Sequence, residues 1–146
     1  AATGANGAPR RTSIRANVPT EPWLDHPFEF ELRTFAVARD NNVKSAYFIQ
    51  PAPAIGKELT EEEKRVVGDL SYRDIYKNIV AGLMSLRDGG APVFDLTQIF
   101  AGEKGTIYAD HIHYARDANQ ESLGNRIIAA RMGEILAETW GFQRKP

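Results

Sequence analysis

The spacing of apolar residues predicts a helix followed by a strand in the first third of the chain. Residues 21–41 carry apolar side chains every three to four positions, the period of a helix with one buried face. The apolar residues of this stripe are Phe28, Leu32 and Phe35. Residues 43–50 are a short, mostly apolar run closed by Pro51, which is typical of a strand buried on both faces of a parallel sheet. Together they predict one αβ unit of an α/β fold.

A second αβ unit follows directly. Residues 60–87 form a long helical stretch that begins with a capping box, in which Thr60 is the N-cap and Glu63 follows three residues later. We expect a break near Gly68, since glycine costs a helix interior about 1 kcal/mol relative to alanine. The apolar stripe of the second half is formed by Ile75, Ile79 and Leu83. Residues 91–96 then predict a second short strand.

The rest of the chain predicts a loop and one more helix. A brief extended piece at 106–109 leads into a polar loop, and residues 122–139 predict the last helix, with Ser122 as its cap. Residues 1–20 have the small, polar composition of a flexible tail or linker. Two strands make a poor independent sheet. We therefore expect an α/β domain over residues 21–146 whose first strands lie outside this chain.

The composition narrows the functional classes. The chain has 146 residues, of which 42% are hydrophobic and 25% charged, the balance of an ordinary globular domain. Its net charge of -1 argues against a strong overall field for nucleic acid, and we expect no nucleic-acid partner. No apolar run approaches the roughly 20 residues needed to span a bilayer. The absence of cysteine excludes thiolate metal sites, iron–sulfur clusters and cysteine nucleophiles, but it does not fix the compartment.

The densest cluster of chemically active side chains lies at residues 108–114, which hold two of the three histidines. In one interpretation, Asp110 and His113 form the acid–base pair that a hydroxyl nucleophile needs. A neutral imidazole takes the proton of the hydroxyl, and a carboxylate fixes the imidazole tautomer and stabilises its cation. A loop after a strand can place both side chains at the carboxyl edge of an α/β sheet, where such folds hold their sites.

Two other interpretations use the same cluster. In a metal site, His111 and His113 point the same way if the segment is extended, and Asp110 adds an oxygen ligand. No third or fourth metal ligand is evident, and His26 and Asp95 are candidate ligands only by elimination. In the third interpretation these are ordinary surface or capping residues, which such spacing produces easily by chance. The spacing alone does not decide among the three.

Three blocks around this cluster resemble the C-terminal part of SGNH (GDSL-type) hydrolases. They are residues 93–100, residues 107–113 with the motif Asp-x-x-His, and residues 124–129, where a Gly precedes a helix of Ile and Ala character. The resemblance covers residues 28–138. It implies a flavodoxin-like α/β/α three-layer sandwich, of which this chain holds only the C-terminal half. It also implies that Asp110 is the carboxylate of a catalytic triad and His113 its general base, with no cofactor and no metal.

The nucleophile of that family is missing from its expected place. In SGNH hydrolases the serine lies in a Gly-Asp-Ser block after the first strand, and no such block occurs here. The serines of the chain are Ser13, Ser45, Ser71, Ser85 and Ser122. We predict none of them at a sharp strand-to-helix turn, where such a nucleophile belongs.

The function that we expect is therefore part of a serine hydrolase. The chain would supply the acid–base part of a serine esterase or acyl hydrolase acting on small-molecule or acylated-carbohydrate esters. Its nucleophile would be missing or would lie on a companion chain that carries the N-terminal half. Two alternatives stay open: a non-catalytic α/β binding or assembly module, and a metal-dependent hydrolase that uses Asp110, His111 and His113.

Overall fold

The computed structural model describes residues 29–142 of the chain. The predicted tail over 1–20, the first part of the first predicted helix and the candidate ligand His26 lie outside the described residues. In chain order the elements are α1 (Glu29–Asp40), β1 (Tyr47–Ile49), α2 (Glu61–Val66), α3 (Arg73–Asp88), β2 (Val93–Asp95) and α4 (Leu123–Trp140). This order of helices and strands agrees with the order predicted from the spacing of apolar residues.

Strands β1 and β2 pair in parallel, with Tyr47 opposite Val93 and Ile49 opposite Asp95. Both are shorter than the predicted runs of 43–50 and 91–96. Prolines lie beside both strands, and a proline has no N–H to continue a ladder. Among the described residues the sheet consists of these two strands. The structure is thus a set of helices around two short parallel strands, and the three-layer sandwich stays a prediction.

One hydrophobic cluster, which we call the sheet cluster, covers one face of β1 and β2. Its buried members are Ile49, Leu86, Ala91 and Val93, and the partly buried residues packed against them are Leu32, Phe35, Tyr47, Val80, Leu83 and Met84. Helices α1 and α3 therefore cover the same face of the sheet. The predicted stripe of α3 is only partly covered, because Ile75 is 65% exposed and Ile79 is 40% exposed, while Leu83 packs against the cluster.

A second cluster, which we call the loop cluster, forms where the loops after the strands meet the start of α4. Its buried members are Val67, Phe100, Ile107 and Tyr108, and the residues packed against them are Leu59, Leu70, Ile99, Tyr114, Leu123, Ile127 and Ile128. The ring of Phe100 meets the rings of Tyr108 and Tyr114 edge to face, with centroids 5.9 and 5.6 Å apart. This cluster lies beneath the segment that carries the predicted site.

The break predicted near Gly68 separates α2 from α3. Gly68 has a φ of +69°, a left-handed conformation that favours glycine. In the turn that follows, the carboxylate of Asp69 accepts hydrogen bonds from the backbone N and the hydroxyl of Ser71, at 2.9 and 2.6 Å. Ser71 therefore lies in a turn, and its predicted helical position is wrong. None of the helices between residues 29 and 142 is long and apolar enough to cross a membrane.

Candidate active site

The segment from Ile107 to Ala115 folds back on itself as a narrow turn. The backbone N of Ala115 donates to the carbonyl of Ile107 at 2.7 Å, and the N of Ala109 donates to the carbonyl of His113 at 2.9 Å. Tyr108 and Tyr114 pair between these two hydrogen bonds as an isolated antiparallel bridge. The brief extended piece predicted at 106–109 is one side of this turn, and Asp110 to His113 form its tip.

Asp110 and His113 contact each other directly at the tip of the turn. One carboxylate oxygen, Oδ1, accepts hydrogen bonds from the backbone N of Ile112 and of His113, both at 2.7 Å. The other oxygen, Oδ2, lies 2.8 Å from Nδ1 of the His113 ring. Because an ionised carboxylate only accepts, Nδ1 carries the proton and donates it to Asp110. In the neutral ring Nε2 is then the acceptor, the atom that a general base needs.

The charge of Asp110 is stabilised by these contacts. The backbone hydrogen bond from His113, the hydrogen bond from its ring and the backbone hydrogen bond from Ile112 hold the pKa of Asp110 well below its usual range. The carboxylate is therefore ionised across the whole range in which a histidine titrates. The side chain of His113 is 75% exposed and that of Asp110 is 39% exposed, so the ring faces solvent beside a partly covered carboxylate.

No serine of the described chain hydrogen-bonds the His113 ring. Ser71 donates its hydroxyl to Asp69, and Ser85 donates to the carbonyl of Gly82 at 2.7 Å. Ser122 caps α4, as predicted, by accepting from the backbone N three residues on. Ser45 precedes β1 instead of lying inside the strand as predicted. Ser71, Ser85 and Ser122 therefore have hydrogen-bond partners other than Asp110 and His113, and Ser13 lies outside the described residues.

The part of the chain that the structure describes offers few side chains that could bind a metal ion together. Residues 29–142 contain no group of three or more His, Cys, Asp or Glu side chains that are placed to hold a metal ion. Asp95, which entered as a possible ligand, uses Oδ1 to accept from the backbone N of Thr97 at 2.7 Å. Asp95 therefore caps the loop that follows β2.

A buried carboxylate lies directly behind the turn that carries the site. The side chain of Glu63 is fully buried, and Oε1 accepts from the backbone N of Ile107 and of Tyr108 at 2.8 and 3.1 Å. Oε2 accepts from Nζ of Lys57 and from the backbone N of Thr60, both at 2.7 Å. Burial by itself would raise the pKa of Glu63, but these four hydrogen bonds outweigh burial and hold it below its ordinary value.

The sequence predicts the capping role of Glu63 but not its hydrogen bonds to distant parts of the chain. The capping box of Thr60 and Glu63 is confirmed, since each side chain bonds the backbone N of the other residue. A run of three glutamates at this position otherwise indicates only a charge cluster that suits the positive end of a helix dipole. The hydrogen bonds of Glu63 to Lys57, and to Ile107 and Tyr108, which lie 44 and 45 residues away, have no signal in the local sequence. They depend on how the loops pack.

Tyrosine hydroxyls gather near the carboxyl ends of the strands. Tyr76 donates its hydroxyl to the carbonyl of Gln50, just after β1. The hydroxyls of Tyr72 and Tyr108 are buried and have no hydrogen-bond partner among the described residues. Burial raises the pKa of Tyr76, Tyr108 and Tyr114 above the ordinary value for tyrosine. These three side chains therefore stay protonated at neutral pH and are not in the form that takes a proton from a nucleophile.

Comparison with known proteins found no matching family model, no matching curated protein and no matching solved structure. Any statement about function therefore depends on the local geometry and on the motif that carries it.

Proposed function

We propose that the chain supplies the acid–base part of a serine-dependent acyl hydrolase, with His113 as general base and Asp110 as the residue that orients it. The observation that carries this proposal is the 2.8 Å contact between Oδ2 of Asp110 and Nδ1 of His113. It fixes the tautomer that leaves Nε2 able to accept a proton. Two backbone hydrogen bonds hold the carboxylate in that position from its other oxygen.

In this mechanism the His113 ring transfers one proton in each half of the reaction. As the oxygen of a serine hydroxyl forms a bond to the acyl carbon, Nε2 takes the hydroxyl proton, and it then gives that proton to the alcohol that leaves. In the second half a water molecule attacks the acyl carbon of the acyl-enzyme while the same nitrogen takes its proton. The bond between the acyl carbon and the serine oxygen then breaks, the imidazolium gives the proton to that oxygen, and the carboxylic acid leaves. Asp110 stays ionised and stabilises the imidazolium that forms in each half, consistent with its lowered pKa.

The nucleophilic serine and the donors that bind the oxyanion would come from a companion chain or segment. This part of the proposal is supported by the four described serines, none of which hydrogen-bonds the His113 ring. The exposure of that ring leaves it open to a hydroxyl supplied from outside. The substrate class is an ester of a small molecule or of an acylated carbohydrate.

Neither alternative function has an observation in its favour. The described residues contain no group of side chains placed to hold a metal ion, which argues against a metal-dependent hydrolase. His26 lies outside the described residues. A complete binding module would be expected to have a covered sheet, whereas the described sheet has two strands and therefore two open edges. Labelling with a fluorophosphonate separates the proposal from an Asx-type turn with no catalytic role, in which the same hydrogen bonds only close the turn.

The test is labelling with a fluorophosphonate, which reacts with activated serines, followed by intact mass measurement of every chain in the preparation. We expect the label on a chain that co-purifies with this one. The variant His113→Ala should slow labelling by about 10²- to 10⁴-fold, the usual contribution of a general base. The matched control is His111→Ala, two residues away in the same turn, which should label at the normal rate.

The other outcomes contradict the proposal in different ways. A label on this chain would mean that one of its own serines is activated, and the idea of a nucleophile from elsewhere would be wrong. Equal labelling of the two histidine variants would remove His113 from the mechanism. A preparation without any labelled chain would favour a non-catalytic module.

A further inference from the structure

The turn that carries Asp110 and His113 is held from inside the fold by one carboxylate. Glu63 reaches the turn through Ile107 and Tyr108, whose backbone N atoms both donate to Oε1. Tyr108 lies two residues before Asp110. On the opposite side of the turn, Tyr114 pairs with Tyr108, so both ends of the turn are fixed by the extended segment that Glu63 holds.

The second oxygen of Glu63 connects this extended segment to a different part of the chain. Oε2 accepts from Nζ of Lys57, in the loop after β1, and from the backbone N of Thr60, at the start of α2. The side chains of Lys57 and Glu63 are both fully buried. Glu63 thus joins three segments through one group, and a small displacement of its carboxylate is transmitted to the extended segment before Asp110.

The arrangement requires a carboxylate and not merely a polar side chain of the same size. Each oxygen of Glu63 faces two donors, so all four hydrogen bonds need an acceptor. In glutamine one of the two atoms is an NH₂ donor, which would face either the two backbone N–H groups or Lys57 and Thr60. Two of the four hydrogen bonds would be lost, and donors would face donors inside the protein.

We propose that Glu63 is a positioning residue for the Asp110–His113 pair: it fixes the backbone that places the Asp110 carboxylate against Nδ1 of His113. Its relevance to catalysis rests on the proposed function, but the geometry that it fixes does not. Glu63 touches neither the His113 ring nor Asp110 in the structure, so it acts through the backbone of Ile107 and Tyr108.

The test is the tautomer of the His113 ring, measured by ¹H–¹⁵N correlation of the ¹⁵N-labelled chain at a pH where the imidazole is neutral. In the natural chain we expect His113 as the single Nδ1–H tautomer that the contact with Asp110 requires. In Glu63→Gln we expect a mixture of tautomers. We also expect exchange of the Ile112 and His113 amide protons to become about tenfold faster or more, because their bonds to Asp110 are weakened.

Three comparisons make this readout specific. His111 has no ring hydrogen bond among the described residues, so its tautomer is an internal reference in every spectrum. The matched control is Glu62→Gln, the exposed neighbour on α2 that accepts from the hydroxyl of Thr106 at 2.7 Å, and it should leave His113 unchanged. Asp110→Asn should lose the single tautomer, which shows that the signal reports the pair.

A folded Glu63→Gln chain that keeps the single tautomer and slow amide exchange would overturn the positioning role. If Glu63→Gln does not fold, Glu63→Asp is read in the same way, since it keeps the charge beside Lys57 and retracts the carboxylate from Ile107. Failure of both variants to fold would make Glu63 a structural residue and would also reject the inference. No ester or nucleophile enters this measurement, so a failed labelling experiment and a failed positioning role are distinguished.

Discussion

The loop cluster and the sheet cluster differ in how completely their side chains are buried. In the loop cluster Phe100 and Ile107 have no exposed surface, and a buried carboxylate lies among them. In the sheet cluster the strands have three residues each, and the apolar side of α3 continues past the cluster into solvent at Ile75. On the other face of the sheet, Phe48 and Phe94 are half-buried and stack on each other with centroids 5.4 Å apart.

This difference shows which interactions hold the candidate site in place. A parallel sheet normally supplies the rigid edge on which an α/β fold carries its functional loops. In the described chain that sheet contributes few hydrogen bonds, and the turn with Asp110 instead depends on aromatic packing and on Glu63. Hydrogen bonds within the turn hold the Asp–His pair, and loop packing and Glu63 of α2 hold the turn, so the pair should respond most strongly to changes there.

The largest effect is expected at the buried ion pair of the loop region. Lys57→Met removes the partner of Glu63 and leaves a buried carboxylate without a counter-charge. Breaking a buried pair in this way costs about 3–5 kcal/mol, so we expect a loss of that size in the free energy of unfolding. Denaturation by urea, followed by circular dichroism, measures it.

The matched control for this variant is an ion pair on the surface of α2. Lys64 lies 2.7 Å from Glu61, but the two side chains are 57% and 78% exposed. Lys64→Met should change the free energy of unfolding far less than Lys57→Met does, because solvent screens an exposed ion pair. Equal effects of the two substitutions would mean that the Glu63 network does not stabilise the loop region more than an ordinary surface contact.

The next effect in size concerns the close approach of the two loops that follow the strands. Gly56 has a φ of +81°, and a Cβ atom there would lie 1.8 Å from the carbonyl oxygen of Thr97. Gly56→Ala therefore combines backbone strain with a steric clash, and we expect a loss of about 2–4 kcal/mol in the free energy of unfolding.

Gly90 separates these two contributions. Its φ is +89°, but nothing lies within 4 Å of a Cβ atom placed there. Gly90→Ala, just before β2, should therefore show the backbone strain alone, about 1–2 kcal/mol. A loss at Gly56 no larger than that at Gly90 in thermal or urea unfolding would show that the loops move apart easily and that the loop region is not tightly packed.

Local patterns predicted the helices and the capping box but not the contacts that give the site its shape. The capping box at Thr60 is a signal within four residues, and the structure confirms it. Asp110 and His113 are also close in sequence, so their motif singled out the pair that the structure joins. The bonds from Glu63 to Ile107 and Tyr108 cross more than 40 residues, and no spacing rule reports them.

The strand ends and the coverage of α3 show a different limit of sequence patterns. Apolar runs predicted longer strands, but strand length depends on which neighbour supplies hydrogen bonds and on where prolines stop the ladder. A helical stripe predicts which face of α3 is apolar, but it does not predict how far along the helix that face is covered. Both properties depend on partners that are distant in sequence.

The smallest effect is expected on the exposed side of α3. Ile75 is 65% exposed, and alanine has the higher helix propensity, so Ile75→Ala should change the free energy of unfolding by less than about 0.5 kcal/mol. Leu83→Ala is the control two turns along the same stripe, and since Leu83 packs against the sheet cluster it should cost roughly 2 kcal/mol. Urea unfolding of both variants gives the comparison. A loss at Ile75 as large as at Leu83 would mean that the apolar face of α3 is covered along its whole length, and the sheet region would then be as well packed as the loop region.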